Sequence, residues 1–144
     1  MARPHSLSVL VCLIVVGVPL VAAPASATES IQVSPRAISR MKVFDGPLLV
    51  VDQEPSPADT EALMEAVEAF RKAGGGEAFD PFEAFLKAHP SSPWRASLQA
   101  HLGDLFRHYG YFTRALAAWQ DAWALSKDLK TPEGIYVFKA RHAP

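Results

Sequence analysis

The sequence predicts an all-α fold: a short solenoid of helix–turn–helix repeats, preceded by a signal peptide and an extended arm. Three observations predict it. First, two helical periods lie back to back within residues 93–129. Trp94, Leu98, Leu102, Leu105 and Tyr109 recur at helical spacing, and so do Phe112, Ala115, Leu116, Trp119, Ala122 and Trp123. Second, four segments open on a capping residue followed by proline: Ser56-Pro57, Asp80-Pro81, Ser92-Pro93 and Thr131-Pro132. Pro57 and Pro93 are 36 residues apart, and Pro93 and Pro132 are 39 apart, which is the period of a two-helix unit. Third, Arg3 precedes an apolar run over residues 7–23, and Ala25-Ser26-Ala27 supplies the small residues a signal peptidase reads.

In chain order, residues 1–27 read as a secretory signal peptide. The apolar run contains Gly17 and Pro19 and is short for a membrane span. The protein is therefore expected to be exported, to the periplasm or the extracellular space, touching a membrane only in transit. Residues 28–55 hold Pro35, Pro47 and Pro55 with little helical period, so they read as an extended arm. Residues 48–51 are a short β-prone run behind the turn signal Asp45-Gly46-Pro47. Such a run either packs along the helices or stays mobile, because one strand has no stability alone.

The helices start at Ser56, which caps a segment with Leu63, Val67 and Phe70 on one side and Glu61, Glu65 and Glu68 on the other. Gly74-Gly75-Gly76 stops it and reads as a plain flexible link, since no Lys-Ser/Thr follows to make a phosphate loop. Phe82, Phe85 and Leu86 form the apolar side of a short second helix, with Pro90 just beyond its end. The two helices over 56–90 make a degenerate first unit. Residues 91–130 make the best unit, in which Tyr109-Gly110 fits a helix ending on a left-handed glycine. Residues 131–144 make a half unit, although Ile135-Tyr136-Val137-Phe138 also has high β propensity. A half unit leaves an apolar face uncovered, so self-association is expected.

The unit over 91–130 resembles a tetratricopeptide repeat, a two-helix unit of about 34 residues that stacks into a solenoid. With Ala96 as its first position, the family's Leu-Gly pair falls on Leu102-Gly103. The next large apolar position falls on Phe106, and the turn glycine on Gly110. The small or aromatic positions of the second helix fall on Ala115, Trp119 and Ala122. Gln99 and Lys127 depart from the pattern, where the family has Trp and Pro. The resemblance implies that Gly103 and Ala115 let two helices approach while Trp119 fills the space beside them. It also implies a binding module that holds a protein or peptide segment on the inner face of the first helix. Carried over by register, that face is Ser97, Ala100, Asp104, Arg107 and His108. Arg107 is the best single candidate, because a guanidinium holds a carboxylate in a forked geometry. The stretch from Phe82 to Leu129 also resembles the leading helical part of larger secreted bacterial proteins. The alternative reading is thus the non-catalytic leading part of a secreted enzyme such as a peptidase.

Charge and cysteine usage exclude other classes. The chain of 144 residues has a formal charge of −1, and no dense basic stripe offers a nucleic-acid footprint. The charge is uneven: residues 28–92 carry 6 Lys/Arg against 11 Asp/Glu, and residues 93–144 carry 7 against 4. The single cysteine, Cys12, lies in the leader, so the mature chain has no disulfide framework, thiol nucleophile or cysteine-based metal site. His101, Asp104 and His108 have metal-ligand spacing but lack a fourth ligand. Ser97, His101 and Asp104 are the residue types of a hydrolytic triad, but no nucleophile-elbow glycines surround Ser97. No catalytic residue and no cofactor is expected. Trp94, Trp119 and Trp123 are expected in the core.

Overall fold

The computed structural model describes residues 34–139, with side chains to Val137. The signal peptide expected over residues 1–27, the first residues of the arm and the chain end lie outside the described residues. Those described form six helices and no strand: α1 (Pro35–Ser39), α2 (Pro57–Lys72), α3 (Asp80–Ala88), α4 (Arg95–His108), α5 (Phe112–Ser126) and α6 (Pro132–Lys139). None of these helices is long and apolar enough to cross a membrane.

α2 and α3 form one helical hairpin, α4 and α5 a second, and α6 packs mainly on α5. α2 begins as expected. Ser56 Oγ accepts the Asp59 N–H at 3.0 Å and donates to the Asp59 carboxylate at 2.8 Å, which satisfies an otherwise orphaned helix donor. The other carboxylate oxygen of Asp59 lies 2.8 Å from His89 Nδ1, tying the start of α2 to the end of α3. Asp80 does not cap α3. The cap position is Phe79, with no side-chain cap bond, and Phe79 is buried. Ser92-Pro93 forms a turn just before α4, where Ser92 C=O accepts the Arg95 N–H at 3.0 Å. Thr131 Oγ1 accepts the Gly134 N–H at 3.2 Å and so starts α6.

α2 and α4 end in the same way. After α4, the Tyr111 N–H reaches Phe106 C=O at 2.8 Å and the Gly110 N–H reaches Arg107 C=O at 3.1 Å, with Gly110 at φ +82°. These are the paired bonds of a left-handed glycine stop. After α2, Gly75 and Gly74 repeat both bonds on Phe70 and Arg71. Gly74, Gly75 and Gly76 all have positive φ. The glycine run is therefore a defined left-handed turn that residues with a Cβ would strain, not a plain link.

The main core joins Leu63, Val67 and Phe70 of α2, Phe82 and Phe85 of α3, and Leu98, Leu102 and Phe106 of α4, with Trp94 beneath them. Phe70 and Phe82 lie 4.9 Å apart and tilted, a favoured aromatic arrangement. Ile38 of α1 and Leu48 are part of this core, almost fully buried. The described part of the arm is thus not wholly extended: it contains a short helix, and residues 47–51 pack along α4 without pairing as a strand.

Candidate functional site

α4 carries all five inner-face positions, and the chain's own arm divides them. Ser97 is 1% exposed. Its Oγ accepts the Leu49 N–H at 2.9 Å. Ala100 is buried in a small cluster with Val51 of the arm, Ala96, Ala122 and Val137 of α6. These two positions therefore hold the arm and α6, where the register carried over from the repeat family would have given them to a partner.

The other three reach the surface. Asp104, Arg107 and His108 line a depression with Phe44, Asp45 and His101. Arg107 and His108 are exposed and Asp104 is half-buried. His101 belongs to the arm: its ring stacks on Phe44 at 4.8 Å and 4°, and its Nε2 lies 3.0 Å from Pro47 C=O. Among the described residues, no three His, Cys, Asp or Glu side chains gather as a metal-holding group. Ser97 Oγ is committed to the arm, so Ser97, His101 and Asp104 do not present an accessible nucleophile.

The sequence reading missed a second surface, on α5. The side chains that α5 buries are small: Ala115, Ala118, Ala122 and Ser126. Phe112 is 65% exposed, Leu116 58% and Trp123 45%. Spacings of four, seven and eleven residues put these three on one face with half-buried Trp119. Trp94 is in the core as expected, whereas Trp119 is only half-buried and Trp123 is exposed. A Cβ on Gly103 would overlap the Trp119 indole. The glycine therefore makes room for that ring, which lies directly against it, more than for the α5 backbone.

The coverage of this face follows from helix lengths. Over the described residues α6 has 8 residues against 15 in α5, so at about 1.5 Å per residue that part of it spans about half of α5. Val137 packs on Ala96, Ala100 and Ala122, at the end of the hairpin remote from Gly110. The Gly110 end keeps Arg107 in the last turn of α4 and Phe112 and Leu116 in the first turns of α5. On the opposite side, Arg114 is fixed: its guanidinium stacks 4.1 Å above the Phe106 ring and pairs with Glu83 of α3.

No family model, curated protein or solved structure matches this chain.

Proposed function

We propose that this chain is an exported, tetratricopeptide-like binding module that holds a protein segment at the Gly110 end of its second hairpin. The observation that carries the reading is the distribution of exposed large apolar side chains. Among the described residues they are Tyr109, Tyr111, Phe112, Leu116, Trp123, Leu125, Ile135 and Tyr136, and all lie beyond α4. Clustered apolar exposure of this kind marks interaction surfaces. Phe112 and Leu116 at the Gly110 end, with Trp123 on the same face in the last turn of α5, offer ridges to an apolar partner face, in the manner of helix-in-groove recognition. Arg107, at the same end of the hairpin, supplies a forked donor for a carboxylate on the partner. Ser97 and Ala100 hold the arm and α6 nearer the other end of α4 and take no part in this surface.

Two measurements test the reading. Intact-mass analysis of exported protein is expected to show a chain beginning at Thr28; a mass retaining residues 7–23 speaks against export with cleavage. A partner recovered from the exported proteome is then purified and titrated. Arg107→Ala and Leu116→Ser are each expected to weaken its binding by about 2 kcal/mol, as loss of an interface anchor does. Unchanged affinity in both variants moves the binding surface elsewhere.

A second reading has one observation in its favour: among the described residues α6 covers only about half of α5. Further helices could cover Phe112 and Leu116, as in the leading helical part of a larger secreted enzyme. A reading frame continuing past Pro144 into more helices and a catalytic domain supports it.

A further inference from the structure

We infer that the seat of the arm on α4 is also a dimerisation site, filled by the arm of a second copy through exchange. The arm binds as an extended peptide ligand would. Pro47 C=O lies 3.0 Å from His101 Nε2, the Leu49 N–H donates to Ser97 Oγ at 2.9 Å, and the Val51 N–H donates to Pro93 C=O at 3.0 Å. Ser97 and His101 are one turn apart on α4, so they read two backbone groups of one extended segment. Leu48 and Val51 are buried at this seat, and Ile38 anchors the arm further on. Phe44 adds its ring to His101.

The hinge behind this segment is short and strained. It runs over residues 52–55, from Val51 on α4 to the Ser56 cap of α2. Asp52 has φ +82° and is the one non-glycine residue with positive φ among those described. An aspartate tolerates this conformation better than most residues, but a Cβ there is still crowded. Pro55 and Pro57 flank the cap and stiffen the exit. A short strained hinge that joins a separable element to its seat is the arrangement that favours swapping. In the exchanged dimer every arm contact is remade with the other copy, and Asp52 is free to leave the left-handed region. Simple release would expose Ile38, Leu48 and Val51, so exchange is favoured over an open arm. A second copy is also the occupant that reproduces all four side-chain positions and all three backbone bonds, and two arms exchanged reciprocally close a two-fold dimer.

Cysteine pairing tests this in the full chain with Cys12→Ser. One protein carries Leu49→Cys and another carries Ser97→Cys; they are refolded together at high concentration and oxidised. A disulfide-linked heterodimer is expected, fading on dilution before refolding. A single chain carrying both cysteines must form the internal disulfide, which shows that the pair is competent. Only monomers from the mixture, with the internal control formed, overturn the inference. A dimer seen by light scattering without the mixed disulfide also overturns it, because its interface is then elsewhere. Asp52→Gly provides a readout without cysteines. Relief of the hinge is expected to raise the dimer dissociation constant about tenfold, and an unchanged or lowered constant contradicts the role of the hinge.

Discussion

The first hairpin and α5 of the second pack in opposite senses. In α2 and α3 the large residues point inward. Leu63, Val67, Phe82 and Phe85 are buried, while Glu61, Glu65 and Glu68 face solvent. α5 inverts this, burying alanines and exposing Phe112, Leu116 and Trp123. The difference teaches that α2, α3 and α4 carry the main core, while α5 leaves part of its apolar surface outside it, where the proposed partner would bind. Burying a large side chain contributes about 1.5–3 kcal/mol, and α5 leaves several such contributions unrealised within the chain.

Variants can break or sharpen this contrast. The largest effect is expected in the first hairpin. Phe82→Ala removes a ring that is fully buried between Phe44 and Phe70, and should cost about 3–5 kcal/mol in urea unfolding. A loss below about 1 kcal/mol would mean the first hairpin is not the stable half.

Between the helices of the second hairpin, Gly103→Leu should cost about 1–3 kcal/mol, since the new side chain displaces the Trp119 indole from α4. Thermal melts read this. A wild-type melting curve would show that Trp119 can leave without loss and that the close packing beside Gly103 is dispensable.

Smaller again is Ser97→Ala, which leaves the Leu49 N–H without its acceptor. Loss of such a partner costs about 1–3 kcal/mol where the group stays dry, and less here because Leu49 is only half-buried. The expected signature is local. Amide exchange should quicken over residues 47–51 before it changes in α2 and α3. Uniform quickening would make the arm part of the global folding unit.

The elements were largely legible in the sequence, and for physical reasons. Ser56 as a cap and Gly110 as a left-handed stop act within a few residues, so their chemistry shows in the local pattern. The packing of α5 was not legible in the same way. Its apolar residues cover about half the helix circumference, so period alone does not say which stripe faces inward. Ala115, Ala118 and Ala122 form one stripe and Phe112, Leu116 and Trp123 another. Residue size was the available signal: a helix that packs closely on α4 beside Gly103 turns its alanines toward it. The arm was harder still. Leu49 and Ser97 are 48 residues apart, and no local period encodes such a contact. The five inner-face positions do share one side of α4, but the sequence did not show that the arm lies over part of that side and buries Ser97 and Ala100.

The most direct test of the contrast needs no partner. The triple variant Phe112→Ser/Leu116→Ser/Trp123→Ser is compared with wild type in urea unfolding. Exposed substitutions each change stability by about 0.5 kcal/mol or less, and coupling between the i, i+4 neighbours Phe112 and Leu116 adds only about 0.2–0.5 kcal/mol. The account predicts a combined loss under about 2 kcal/mol with the unfolding slope unchanged. A loss above about 3 kcal/mol would place this stripe in the core and contradict its assignment as a surface kept for a partner.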